Sequence, residues 1–319
     1  MSPHRTTISR TRPSAQQGVA LITALLIVAL ATTVAVAMTS RQYLDIRRSA
    51  NVLEYDQAML YVAGIEGWAG QILRQDAEDN QVDSLDEDWA TELPPIPVDG
   101  GQLAGAAEDM QGRFNVNALL AADGSIETLA LERFRRLLLA LELDPEIAER
   151  LADWLDADDE TRLGGAEDVE YLGLEAPYRA GNGPLASPSE LALLLGVTPE
   201  VMVRLSPYVA ALPREAGLNV NTIAPDKPEL VMALAEVARA EAEQVLADRG
   251  TQGHESVSDF LQHAAFAGRT VSAQGLAVKS DYFVITSHVQ FGRSVFTTYS
   301  LLQRGTDGTR VLRRAQGTL

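Results

Sequence analysis

The densest chemistry in the chain is the run Asp153-Trp-Leu-Asp-Ala-Asp-Asp-Glu-Thr-Arg-Leu-Gly-Gly-Ala-Glu-Asp-Val-Glu-Tyr171. Between Asp156 and Glu170 it holds seven acids and one base, Arg162. Clustered carboxylates repel one another unless water or a hard cation neutralises them, and calcium takes roughly six to eight oxygen ligands of this kind. Asp156, Asp158 and Glu160 stand two apart and Glu167 follows eleven residues after the first, which is part of the spacing of an EF-hand loop. Thr161 stands where that loop needs glycine, and Gly164-Gly165 come later, which argues against a true EF-hand. Spacing alone leaves two readings open, a different oxygen cage for calcium and a solvated acidic loop.

Short helices must position this run. Ile126 to Leu141, with Leu129, Phe134, Leu137, Leu138 and Leu141, reads as one, and Pro145 in a first turn begins another through Trp154 and Leu155. A third covers Ser189 to Leu195, and a fourth follows Thr198-Pro199-Glu200. Lys227 to Asp248 and Ser256 to Ala267 add two more, the latter capped by Ser256 or Ser258. Leu-Gly-Val turns between short helices resemble helix-hairpin-helix or SAM-like modules, for which the acidic charge favours protein contact over DNA. The helices lie around two similar asparagine runs, Gly112-Arg-Phe-Asn-Val-Asn-Ala-Leu119 and Gly217-Leu-Asn-Val-Asn-Thr-Ile223. Asn115, Asn117, Asn219 and Asn221 are expected to cap turns or close a strand edge.

The ends of the chain have a different character. From Val19 to Met38 the only polar side chains are Thr23, Thr32 and Thr33, whose hydroxyls can bond back to helix carbonyls. Twenty such residues at about 1.5 Å rise span a bilayer core of roughly 30 Å, so one transmembrane helix is expected over 19–40. With no proline between Pro13 and Pro94, and apolar Ile46, Ala50, Leu53 and Leu60 at helical steps, the helix should continue to about Gln75. Gly64, Gly67 and Gly70 fall in its last turns, where close approach of a sheet or simple fraying would explain them. Asp76 to Gly105, acidic and rich in proline and glycine, reads as a long loop. At the other end, Ser280 to Gln290, Ser294 to Gln303 and Thr309 to Arg314 read as antiparallel strands, joined by the Arg113 to Val116 strand.

The first eighteen residues carry Arg5, Arg10 and Arg12, no acid, and a small residue, Gly18, on the polar side of the apolar run. A secretory signal has its cleavage site after the apolar segment. An uncleaved signal anchor stays open, and arginines on both sides of the span leave orientation open. The arrangement resembles the leader of type IV pilins and type II secretion pseudopilins, which implies cleavage after Gly18 by a prepilin peptidase and N-methylation of Val19. The fifth mature residue is then Thr23, where most pilins carry a glutamate that pairs with a neighbouring subunit's amine. Its absence fits a subunit capping a filament tip, and the chain resembles the K-type minor pseudopilins of type II secretion. Trp154-Leu-Asp-Ala-Asp158, Gly165-Ala-Glu-Asp-Val-Glu-Tyr171 and Pro177-Tyr-Arg-Ala-Gly-Asn182 carry that resemblance.

The resemblance implies an α+β, type IV pilin-like fold, a long N-terminal helix on a C-terminal antiparallel sheet with a large inserted helical domain. The expected parts are a leader (1–18), a membrane segment (19–40), helix, loop and first strand (41–118), an inserted SAM-like domain (119–216), a second helical module (217–275) and closing strands (276–319). It implies one or two calcium ions, with Asp156, Asp158, Glu160, Glu167, Asp168 and Asn182 as candidate ligands. It implies an inner-membrane, single-pass protein with a periplasmic globular domain at the pseudopilus tip. The implied partners are I-type, J-type and H-type minor pseudopilins, the peptidase, secreted proteins and the secretin.

Composition narrows the alternatives. The formal charge is −18, and loss of the three leader arginines takes the mature chain to about −21, which repels nucleic acid. There is no cysteine, so an exported domain is stabilised without disulfides and no thiol nucleophile exists. A membrane-anchored periplasmic hydrolase would need a catalytic use of the acidic run. His254, His263 and His288 are remote from it in sequence, and no Gly-x-Ser-x-Gly, His-Glu-x-x-His or phosphate-cradling loop occurs. A minor pilin of a type IV pilus or competence system would carry glutamate in place of Thr23 and, for DNA uptake, a basic face.

Overall fold

The computed structural model describes residues 16–317 apart from Arg293, so the leader up to Ala15 lies outside the described residues. A stretch without proline forms one helix, α1 (Gln16–Asp79). The chain divides into two bodies, one ending at Gln57 and the other beginning at Ala58. In the first, every side chain from Val19 to Ser40 is exposed, and the most apolar 18-residue window has a mean hydropathy of 2.7. Thr23, Thr32 and Thr33 donate to carbonyls of their own helix at 2.8 to 3.1 Å, so none of these three hydroxyls is left open. Among the described residues this is the one helix long and apolar enough to cross a membrane.

The second body continues through β1 (Leu93–Val98), β2 (Gly101–Asp109) and β3 (Phe114–Asn115). The helical region contains α2 (Thr128–Ala140), α3 (Ile147–Leu155), α4 (Asp168–Leu172), α5 (Pro199–Leu205), β4 (Val209–Ala210), β5 (Leu218–Asn219), α6 (Pro228–Leu234), α7 (Arg239–Asp248) and α8 (Val257–Leu261). The chain closes with β6 (Leu276–Ala277), β7 (Tyr282–Phe291), β8 (Ser294–Gly305) and β9 (Gly308–Gln316). The main sheet is antiparallel in the order β1-β2-β7-β8-β9. α1 covers one face, where Ala58, Val62, Ile65 and Leu73 meet Phe283, Ile285, Val289 and Leu302. The opposite face gives Tyr282, Val284 and Leu301 to a smaller seam with Met110, Ala210 and Leu212.

Three expectations change. The acidic, proline-rich stretch contains the β1–β2 hairpin rather than a continuous loop. Pro94, Pro95 and Pro97 fall in β1 at the sheet edge, where a missing N–H is tolerated, and Gly100 turns the chain at φ +82°. The asparagine strand does not join the main sheet. β3 pairs in parallel with β4, and β2 takes the place beside β7. The Lys227–Asp248 helix breaks at Ala235, whose extended backbone lets Ala235 and Val237 turn into the core before Glu241 caps α7 through the Ala238 N–H.

The asparagines close turns as expected. Asn117 Nδ2 reaches the Leu185 and Leu212 carbonyls, each at 2.9 Å, while its Oδ1 accepts from Leu185 N. Asn221 brackets His254 in the same way. Residues 225–268 share one core with the preceding helices, with Leu230, Val231 and Phe260 in the same cluster as Phe134 and Leu151. Of Gly64, Gly67 and Gly70, Gly70 faces the sheet, where an added Cβ would overlap Thr309.

Candidate metal centre

The acidic run spans the end of α3 and the start of α4. α3 buries Ile147, Leu151, Trp154 and Leu155, which carries Asp153 inward on the same turn and leaves Asp156 as the residue after the helix. Asp153, Asp156 and Glu167 are all buried, whereas Asp158 is exposed. Asp156, Asp158 and Glu167 each offer a carboxylate oxygen within 4.8 Å of the other two.

Arg162 folds back into this group. Its Nη1 donates to Asp153 Oδ1 at 2.6 Å and to Asp156 Oδ2, and its backbone N–H donates to Asp153 Oδ2 at 3.1 Å. One guanidinium therefore faces two of four carboxylates. Asp156 Oδ1 and both Glu167 carboxylate oxygens remain buried with no hydrogen-bond partner. Burying such oxygens unpaired is unfavourable unless the charge is neutralised. Burial, reinforced by the charges of Asp153 and Asp156, pushes Glu167 up to about 7, and burial also raises Asp156. Three partnerless hard oxygens converging from two elements, with four acids against one base, fit a divalent oxygen-seeking cation such as calcium.

The surrounding motifs shape the cage. A Cβ at Gly165 would overlap Asp153 Oδ2, so glycine lets the returning loop lie against that carboxylate. Trp154 packs edge-on to Tyr171 at 5.2 Å, and Tyr171 lies 5.4 Å from Tyr178, making an aromatic support from all three motifs.

Of the six expected ligands, the structure gathers Asp156, Asp158 and Glu167. Asp168 is turned to the Pro177–Asn182 segment, accepting from Ala180 N at 3.0 Å and Arg179 Nη1 at 3.1 Å. Glu160 is exposed and outside the gathered group, with its N–H donating to Asp158 Oδ1 at 2.9 Å. Asn182 is exposed, in the left-handed region at φ +44°. Asp153 was not among the expected ligands. Its signal was a spacing of three from Asp156 at the end of a helix, which sets both on one face.

A second acidic group, Asp76, Asp83 and Glu87, has its carboxylates hydrogen-bonded within the protein. Arg304 reaches Asp76 at 2.8 Å and Asp83 Oδ1 at 2.6 Å, and Trp89 Nε1 donates to Glu87 at 2.6 Å. The described histidines are engaged elsewhere, His254 with Asp259, His263 with Asp248 and His288 with Thr297.

Comparisons with known proteins converge on one family. Models described as Type II secretion system (T2SS), protein K match residues 112–214 and 218–279. The chain is 41% identical over 316 residues to type II secretion system protein K of Pseudomonas aeruginosa, covering 95% of this chain and 93% of that protein. It is 36% identical over 316 residues to the Klebsiella pneumoniae protein of the same name, covering 95% and 97%. Among solved structures, the GspK-GspI-GspJ complex from the enterotoxigenic Escherichia coli type 2 secretion system contains a chain that matches with a TM-score of 0.77 at 30% identity. That match covers 85% of this chain and 100% of the other.

Proposed function

The chain belongs to the type II secretion system protein K family and is a minor pseudopilin of that system, and on this premise we propose that it caps the pseudopilus tip. The observation that carries the tip position is Thr23. Its hydroxyl is satisfied by Val19 O and Ala20 O, each at 3.0 Å, so a subunit with no neighbour above it leaves no carboxylate unpaired in lipid. I-type and J-type minor pseudopilins are its partners, as they are for the matched relative, and an H-type subunit lies below. The globular body lies in the periplasm, where the helical region can meet secreted proteins and the secretin. Its contribution is binding and geometry rather than catalysis.

Calcium is the ion for which the acidic site is suited. Asp156, Asp158 and Glu167 would hold it, with Asp153 behind them on Arg162. The bound ion supplies positive charge that neutralises the partnerless oxygens. The residues then tie the end of α3 to the start of α4 and hold the presented surface in one shape.

The N-terminal mass of the protein, purified from membranes with and without a prepilin peptidase, tests the export route. A chain beginning at N-methylated Val19 only when the peptidase is present is expected. An intact Met1 in both strains would overturn the assignment.

A further inference from the structure

A cavity of about 330 Å³ lies between the first asparagine turn, the start of α2 and the segments that carry β5 and β6. It shares no lining residue with the acidic centre, and its size is at the lower end of ordinary ligand pockets. Phe114, Leu120, Leu129 and Leu276 supply apolar wall, and Phe114 stacks on Phe134 of α2 with ring centroids 5.3 Å apart. The charged lining is Arg133, Arg214, Glu127 and Glu215.

Arg133 is the unusual group among these. It stands on the buried face of α2 with Ala130, Phe134 and Leu137, and is only 5% exposed. Its Nη1 donates to Gln274 O and its Nη2 to Ser272 O, each at 2.6 Å, while Nε is buried with no partner. The two carbonyls occupy the end of the guanidinium and leave its Nε–Nη2 edge, the edge that meets a carboxylate through two parallel hydrogen bonds. Burial, with the charge of Arg136 adding to it, lowers the Arg133 pKa, since no carboxylate stands beside it to hold the proton. Arg214 is exposed and makes one long hydrogen bond, to Ala121 O at 3.3 Å. Among the described residues neither arginine forms an ion pair, in a chain with 44 acids against 26 lysines and arginines. A buried guanidinium without an anion is costly, and an anion entering the cavity offsets that cost.

The two glutamates narrow the ligand further. Glu127 accepts from Leu129 N at 3.5 Å and from Gln274 Nε2 at 3.1 Å, which leaves lone pairs on both of its oxygens, and Glu215 is exposed. A fatty acid would satisfy the arginines but set its hydrocarbon against these carboxylates. A peptide end brings a carboxylate for the arginines, apolar side chains for the wall and N–H donors for the glutamates.

We propose that this cavity binds the free C-terminal carboxylate of a peptide with apolar last residues, with Arg133 and Arg214 on the carboxylate and Glu127 and Glu215 on the N–H groups behind it. The site lies wholly in the second body and depends neither on the tip position nor on a bound ion.

The test is calorimetric titration of the full chain in detergent with acetyl-Ala-Leu-Leu, with its C-terminal amide and with octanoate. The free acid is expected to bind at least about tenfold more tightly than the amide, which also controls for partition into micelles. Arg214→Glu, an exposed change, should weaken binding of the free acid at least about tenfold and leave the melting temperature unaltered. Arg133→Lys keeps the charge but removes the forked edge, and should weaken binding by a similar factor. A purely structural role for Arg133 would instead lower the melting temperature and leave the affinity of the folded protein unchanged. Equal binding of acid and amide, no binding of the acid, or full affinity in Arg214→Glu overturns the proposal. Octanoate binding more tightly than the peptide also overturns it and makes the cavity a fatty-acid site.

Discussion

Asp109 shows how one buried carboxylate can hold two structural regions together. It lies at the end of β2 and accepts from Gln111 N at 2.8 Å, Ser280 Oγ at 2.6 Å, Thr222 Oγ1 and Asn219 Nδ2. Burial, against the pull of these donors and with the charge of Asp83 adding to it, pushes its pKa up to about 6. A raised carboxyl pKa means that the folded protein binds the proton more tightly than the unfolded chain. The associated stability is present below the ordinary carboxylate range and is lost as pH rises through about 6. Urea unfolding in chelator should therefore show a lower midpoint at pH 7.5 than at pH 5, and Asp109→Asn should flatten that slope. At neutral pH the same variant should lose about 1–3 kcal/mol, because an amide NH₂ replaces an acceptor among four donors. At the proposed calcium site, Glu167→Gln keeps the shape but removes the charge, and calorimetric titration of the full chain should show at least about tenfold weaker calcium binding. Unchanged affinity would remove Glu167 from the ligand set. In the membrane segment, Thr23→Glu introduces a carboxylate that, at the proposed tip position, has no subunit above to pair it. Secretion by a strain carrying it should fall, and normal secretion would count against the tip position.

At the scale of elements, Arg304 of β8 fastens the end of α1 to the sheet, as Ser300 and Arg314 fasten its Glu66. Arg304 donates to Asp76 on α1, to Asp83 in the following loop, and to the Leu73 and Ser280 carbonyls, with its guanidinium 5.0 Å from the Phe283 ring centroid. Arg304→Met would leave Asp83 buried without its cation and should destabilise the protein by about 3–5 kcal/mol in denaturant unfolding. A loss below about 1 kcal/mol would show that water replaces the guanidinium. This contact was not legible in the sequence, because Asp76, Asp83 and Arg304 are brought together only by the α1-to-sheet packing. The long helix and the β7–β9 strands were legible, since uninterrupted apolar periodicity and β-branched runs around Gly292 and Gly308 are local signals. β1 was hidden by its three prolines, which mark a loop anywhere except at a sheet edge, and β2 by small residues that fit under Ile65. The α6–α7 break was hidden because Ala235-Glu-Val237 has ordinary helix propensity and turns only to bury Ala235 and Val237. The acidic centre was partly legible. Spacing drew attention to Asp156, Asp158 and Glu167, but the return of Arg162 onto Asp153 depends on how Gly164-Gly165 folds the loop back.

On the scale of the whole second body, there are two principal cores joined by a narrow seam. Phe134, Leu137, Leu151, Leu230 and Phe260 belong to the helical core, while Val62, Leu73, Phe283 and Ile285 belong to the α1-to-sheet core. Between them lie Met110, Ala210, Leu212, Tyr282, Val284 and Leu301, together with the polar contacts of Asp109. The acidic centre is embedded in the helical core, since Trp154, Leu155, Ala166 and Tyr171 belong to it. An ion binding only the folded centre stabilises the part that must unfold to release it, by about 2.7 kcal/mol at a hundred times its dissociation constant. For a unit of this size that corresponds to about 5–10 °C. Calorimetry of the full chain should therefore show two transitions, with calcium raising only the one that belongs to the helical core. Hydrogen exchange with and without chelator assigns them: protection should fall in α3 and α4 and persist in β7 and β8. An equal rise of both transitions would mean that the seam makes the cores one cooperative unit, so that the ion also stiffens the sheet. The absence of any shift would mean that the acidic run holds no ion, leaving Arg162 as its only cation.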